Sequence, residues 1–164
     1  MMTIVILFLA LAISLVTDLK RRKILNIVTF PAMIAGLTIN TFLLGWDGLL
    51  FSTLGLITGF ALLVIPYALG GMAAGDVKLL MAIGALKGAV FVFGSFLYIA
   101  IIGGMIAFLI LLVKKELLHS MKRIIFSAQL KTLQGLNKNE MHHAFPYGVA
   151  IVLGTVCYTG VTFL

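Results

Sequence analysis

Acidic residues are nearly missing from this chain: there are five Asp and Glu among 164 residues, beside one cysteine, one tryptophan and three prolines. The lone Cys157 lies inside an apolar run, which excludes a disulfide framework and a thiolate zinc site. Charged residues of both signs make up only 10% of the chain against 62% hydrophobic residues, and a soluble domain of this size has no use for so much apolar surface. His142 and His143 are adjacent, so on a helix they point in different directions, and no carboxylate pattern accompanies them. No metal and no cofactor is expected on that ground. The net charge of +7 raises nucleic acid as a partner, but the basic residues sit in short stretches between apolar runs, with no continuous basic face. Nucleic-acid binding is not expected.

What remains is a series of apolar runs of membrane-crossing length, about 20 residues each. The first, about residues 2–17, has its positive charges after the apolar core, at Lys20, Arg21, Arg22 and Lys23, which is the reverse of a secretory signal peptide. It reads as an uncleaved anchor with its N-terminus outside. Further spans are expected at residues 26–44 and 49–69, joined by an outer turn at Gly45, Trp46, Asp47 and Gly48. Residues 77–113 are too many for one span and few for two, and the break at Leu86, Lys87 and Gly88 divides them into a short fourth helix and a long fifth one. After a polar, basic stretch at 114–143, a final span runs over about residues 144–164. Lys20, Arg21, Arg22, Lys23, Lys78, Lys114, Lys115, Lys122, Arg123, Lys131 and Lys138 then fall inside and only Lys87 outside, so eleven of the twelve basic residues obey the positive-inside rule. The expected fold is an all-α polytopic membrane protein of about six transmembrane helices, with both termini outside, forming one membrane-embedded domain over 1–164. Within the basic stretch, Leu117, Met121, Ile124, Ile125 and Ala128 recur at helical spacing, which suits a helix lying on the inner leaflet; a connector without regular structure is the alternative.

With so few acids, each can be weighed. Asp47 reads as a turn residue, and Glu116 and Glu140 as solvated charges in the basic stretch. Asp18 closes the first span and Asp76 begins the fourth helix, so the topology puts both on the inner face. Singly they read as a juxtamembrane charge and a helix N-cap. Together they can share one proton in a poorly solvated site, one acting as base toward a water while the other donates to a carbonyl oxygen. The helix dipoles favour the ionised form at Asp76, at a helix N-terminus, and disfavour it at Asp18, at a helix C-terminus. The small residues from Gly70 to Gly75 permit close backbone approach, by an extended peptide or simply by a tight turn.

The stretch Gly75-Asp76-Val77-Lys78-Leu79-Leu80 resembles the second-aspartate signature of the type IV prepilin peptidases, a branch of the G-x-G-D membrane aspartic peptidases. Asp18 to Asn26, an Asp followed by basic residues and Ile24-Leu25-Asn26, resembles the first-aspartate segment, and Phe145-Pro146-Tyr147-Gly148 resembles the Pro-Tyr-Gly segment near the C-terminus. The three matches fall in the family's order across most of the chain. Ala73 stands where the first Gly of G-x-G-D is expected, and Leu25 where a Pro is usual. The resemblance implies Asp18 and Asp76 as catalytic aspartates, with Gly75, Lys78, Asn26, Pro146, Tyr147 and Gly148 positioning or binding substrate. It further implies an inner-membrane peptidase of a prokaryote that removes the short basic leader of a prepilin or pilin-like protein, working beside pilus or secretion machinery. The paired Cys-x-x-Cys motifs and added length of the larger, methylating members are missing, so the short peptidase-only form, such as those serving Flp/Tad-type pili, is the nearer resemblance. Two other readings compete: a proton- or ion-coupled transporter, which favours midplane carboxylates and repeat symmetry, and a noncatalytic assembly subunit, which has no use for two same-side aspartates.

Overall fold

In an apolar medium the backbone must satisfy its own hydrogen bonds within each segment, so long runs of Leu, Ile, Val, Ala and Phe resolve into helices. A computed structural model describes residues 2–21, 23–113 and 147–163. Among them are six helices: α1 (Met2–Arg21), α2 (Asn26–Leu44), α3 (Trp46–Ala68), α4 (Ala74–Lys87), α5 (Ala89–Val113) and α6 (Tyr147–Phe163). The chain is an all-α polytopic membrane protein. The basic stretch 114–143 with its expected surface helix, and Pro146, lie outside the described residues.

Helices α1, α2, α3 and α5 are long and apolar enough to cross a bilayer. At 14 residues, α4 is only about 21 Å long, short of the roughly 30 Å hydrocarbon layer. Its place in the bundle explains how so short a helix survives. Helices α1, α2, α3, α5 and α6 pack in that order into a closed ring, and α4 touches all five. Nine of its residues, among them Leu79, Leu80, Ile83 and Leu86, are buried. An apolar helix without a polar face is expected to be buried on all sides, and α4 fits that rule. The ring helices instead turn large apolar side chains outward, such as Val5, Leu9, Ile13 and Val16 on α1 and Phe93, Leu97 and Ile101 on α5.

Against lipid there is little hydrophobic drive for helices to associate, so close packing of small residues must hold α4 in place. A Cβ added to Gly84 of α4 would run into the backbone of Gly55 on α3, and one added to Gly55 would meet Gly84 in return. Gly59, one turn along α3, faces the Leu80 carbonyl of α4 in the same way. The four-residue spacing of Gly55 and Gly59 therefore serves helix contact. Gly104, by contrast, has nothing within 4 Å of an added Cβ and does not pack. A buried polar cluster secures the far end of α4: Asn40 Nδ2 donates to Ser52 Oγ (2.8 Å) and to the Ala85 carbonyl (3.1 Å), and Ser52 Oγ donates to the Gly36 carbonyl (3.2 Å).

The ends of the elements refine the expected boundaries. Helix α1 continues past residue 17 to Arg21, so Lys20 and Arg21 lie in its last turn, where cations oppose the carbonyl end of the dipole. The outer turn shrinks to Gly45, with φ +63°. Asp47 is consequently not a turn residue; it occupies the first turn of α3, where an acid is favoured. Helix α3 closes in a Schellman motif, with Gly70 N–H donating to the Tyr67 carbonyl and Gly71 N–H to the Pro66 carbonyl, both at 2.9 Å. Gly70 takes φ +74° there.

Replacing Gly84 with Val should destabilise the bundle by about 1–3 kcal/mol or prevent its assembly, because backbone, not a movable side chain, occupies the space. Thermal unfolding in detergent reads this, with Gly104→Ala expected to unfold at the wild-type temperature.

Candidate active site

Asp18 is the only acid in α1, placed one turn before its end, and its side chain turns inward with Leu7, Ala10, Leu11 and Ser14. That stripe of positions three and four apart is the buried face of the helix. Asp76 lies in the first turn of α4. Both residues are only 5% exposed, a rare condition for carboxylates. They belong to one end of the bundle, where the end of α1 and the starts of α2, α4 and α6 meet.

Asp76 is not the N-cap of α4. Ala73 holds that position, and Asp76, as the third helical residue, reaches back so that the Ala73 N–H donates to its Oδ2 at 3.1 Å. This is half of a capping box. Ala73 has φ −84° and ψ 151°, an extended conformation open to any residue, so alanine meets no strain where the resemblance expects glycine. Leu25, standing where proline is usual, is the N-cap of α2 with φ −80°. That value lies at the edge of the range a proline ring fixes, so the backbone keeps the proline-like geometry without the ring.

Gly148, second residue of α6, sits against Asp18. An added Cβ there would come within 2.5 Å of Asp18 Oδ2 and 2.8 Å of its carboxyl carbon. Gly75 packs against the link between α1 and α2, where a Cβ would meet Ile24 Cβ at 3.0 Å. Lys78 Nζ donates to Asn26 Oδ1 at 3.0 Å and lies 5.2 Å from the centre of the Phe30 ring. This clamp ties the start of α4 to the start of α2. Tyr147 opens α6, half-buried, with its ring edge toward Gly103 of α5. Of the eight residues singled out from the sequence, seven therefore meet at one end of the bundle, and Pro146 lies outside the described residues.

Asp76 belongs to α4, outside the four crossing helices, and its carboxyl is pushed above the ordinary carboxylate range. Burial is the largest cause; the Ala73 N–H opposes it by favouring the charged form, and the negative charge of Asp18 adds to the rise. Desolvation at Asp76 thus acts against the ionised form that a helix N-terminus favours. The same effect shows that the two carboxylates are close enough to act on each other. Among the described residues no His, Cys, Asp and Glu group could hold a metal ion. Sequence reasoning missed Ile24, which forms the wall behind Gly75, and Ser14, a buried hydroxyl one turn from Asp18. A polar residue four positions before an acid in an otherwise apolar helix was the available signal for Ser14.

Fold and site define a polytopic membrane protein with two interacting, buried carboxylates at one end of its helix bundle. Comparison with protein-family models matches residues 5–119 to the Type IV leader peptidase family. The chain belongs to that family and is a peptidase. The matched segment contains Asp18, Asn26, Gly75, Asp76 and Lys78, while Tyr147 and Gly148 lie beyond it. Neither curated proteins nor solved structures gave a match.

Gly148→Ala should push the Asp18 carboxylate out of place and lower kcat by about 10²-fold, the scale expected when a reacting group is displaced by about 1 Å. Peptide-cleavage kinetics in detergent test this, with the unfolding temperature measured alongside to show that α6 remains packed.

Proposed function

We propose that this protein is a membrane-embedded aspartic endopeptidase that removes the short basic leader from prepilin-like substrates at the cytoplasmic face of a prokaryotic inner membrane. The observation that carries the reading is the meeting of Asp18 and Asp76, both 5% exposed and electrostatically coupled, at one end of the bundle. Family membership supplies the peptidase activity and, in general terms, the leader-bearing substrate. The distribution of basic residues supports a cytoplasmic position for that end. Leader removal without N-methylation is the form we assign, in keeping with the single cysteine of the sequence. We assign it to a single membrane-embedded domain over 1–164.

Two buried carboxylates that repel one another do not both ionise readily, so the pair shares one proton. We place it on Asp76, whose carboxyl is raised by burial and by the charge of Asp18. Asp18 then accepts a proton from the attacking water while Asp76 donates to the carbonyl oxygen of the scissile bond, and the tetrahedral intermediate collapses with proton return to the leaving amine. Gly75 allows the start of α4 to lie against the α1–α2 link, and the Lys78–Asn26 clamp fixes its direction. A substrate whose apolar helix lies in the bilayer presents its leader at the depth of these groups.

Co-expression with a candidate prepilin tests the reading. The wild type should shorten the substrate by its leader, and Asp18→Asn and Asp76→Asn should each abolish the shift on a gel. Leader removal that persists in both variants would sink the aspartic mechanism.

The pH profile follows from the direction of the Asp76 shift. Activity needs Asp76 protonated, and its carboxyl titrates above the ordinary carboxylate range, so activity should persist above that range and fall as pH rises through the raised value. Measuring kcat/KM against pH in detergent shows this alkaline limb; a decline already complete near the ordinary carboxylate value of 3.8 contradicts the assignment.

A further inference from the structure

Ser14 lies one helical turn from Asp18 on the inward face of α1, is 0% exposed, and has no partner for its Oγ among the described residues. A buried hydroxyl left without a hydrogen bond costs about 1–3 kcal/mol. A remedy is at hand within the helix itself, because a hydroxyl can donate to the carbonyl four residues back. Elsewhere in the bundle this remedy is used: Thr41 donates to the Leu37 carbonyl at 2.6 Å, Thr53 to Leu49 at 2.8 Å, Thr155 to Ile151 at 2.7 Å and Thr159 to Thr155 at 2.6 Å. Ser14 leaves its own backbone aside. Its hydroxyl is therefore directed into the interior, on the stripe that carries the Asp18 carboxylate.

We infer that Ser14 is a positioning residue for the peptidase reaction, holding a buried water between its hydroxyl and the carboxylate of Asp18. The inference rests on the aspartic reading given above. Side chains at positions i and i+4 have Cβ atoms about 5–6 Å apart, a gap that one water bridges with a hydrogen bond to each. The water accepts from Ser14 Oγ–H and donates to an oxygen of Asp18, which as a carboxylate can only accept. Gly148 already crowds Asp18 Oδ2 from the side of α6. A water on the side of α1 that leads into the bundle would fix the second degree of freedom, rotation of the carboxyl plane.

Ser95 on α5 provides an internal comparison. Its Oγ is likewise buried and without a partner among the described residues, but its neighbour Gly94 packs on Tyr158, near the opposite end of α6 from Gly148. The test compares wild type, Ser14→Ala, Ser95→Ala and Asp18→Asn by cleavage kinetics of a leader-bearing peptide and by unfolding temperature, all with the full chain in detergent. Ser14→Ala should lower kcat about tenfold at unchanged KM, equivalent to the loss of one water-mediated hydrogen bond to a charged group, without raising the unfolding temperature. Ser95→Ala should cleave as the wild type does. The inference is overturned if Ser14→Ala keeps kcat within about twofold of wild type, or if it gains stability as removal of a bare orphan hydroxyl would. Cleavage by Asp18→Asn would instead overturn the aspartic reading itself, whatever Ser14 does.

Discussion

The backbone-to-backbone approach of α4 to α3 is the contact on which the rest of the structure depends. Gly84 and Gly55 leave no room for a Cβ on either side, and Gly59 repeats the arrangement one turn on. Because lipid tails solvate an apolar helix as well as another helix does, only close fit and polar pairing reward the insertion of α4 into the ring. The fit comes from the glycines and the polar pairing from Asn40 and Ser52, which reach the Ala85 and Gly36 carbonyls. A helix too short to cross the bilayer is thereby held inside it, with its first turn at the level where α1 ends. That position brings Asp76 to Asp18.

The consequences for the carboxylates follow from the ring. Five helices surround α4, so its first turn is shielded although it lies near a surface, and both acids are 5% exposed. In such a place the cost of charge is set by solvation, and each acid also opposes the ionisation of the other. Sharing of one proton, as in the mechanism proposed above, relieves that opposition. The same shielding gives the few polar groups around the dyad a larger electrostatic weight than they would have in water.

Much of this was legible in the sequence, and the physical reasons differ by element. The crossing helices showed themselves because length and apolarity are properties of a single segment. The pairing of Asp18 with Asp76 was legible because acids are so scarce and because the basic residues orient the segments between them. The central place of α4 was not legible: its residues are apolar on every side, so no periodicity marks a partner, and the glycines that receive it lie on other helices. The extent of Gly45–Gly48 as a turn was overestimated because Trp46 and Asp47 suit a helix start as well as a turn, and only the positive φ at Gly45 was obligatory. The alanine at 73 and the leucine at 25 could be judged only with φ in hand.

The dipole argument made from the sequence paired each aspartate with its own helix, and the fold shows why that was insufficient. Asp18 does end α1, but Gly148 brings the first turn of α6 against its carboxylate, so a helix N-terminus faces Asp18 as well as Asp76. Helix ends contribute about 0.3–1 kcal/mol to a nearby charge, and with such ends at both carboxylates little of that difference survives. Removing a carboxylate from water costs several kcal/mol. Desolvation and the hydrogen bonds each carboxyl accepts therefore weigh more on these acids than the helix ends do. A single backbone donor, the Ala73 N–H, opposes the burial of Asp76 and does not outweigh it. In the mechanism proposed above the proton is accordingly placed at the start of α4, with the acid that closes α1 as the base.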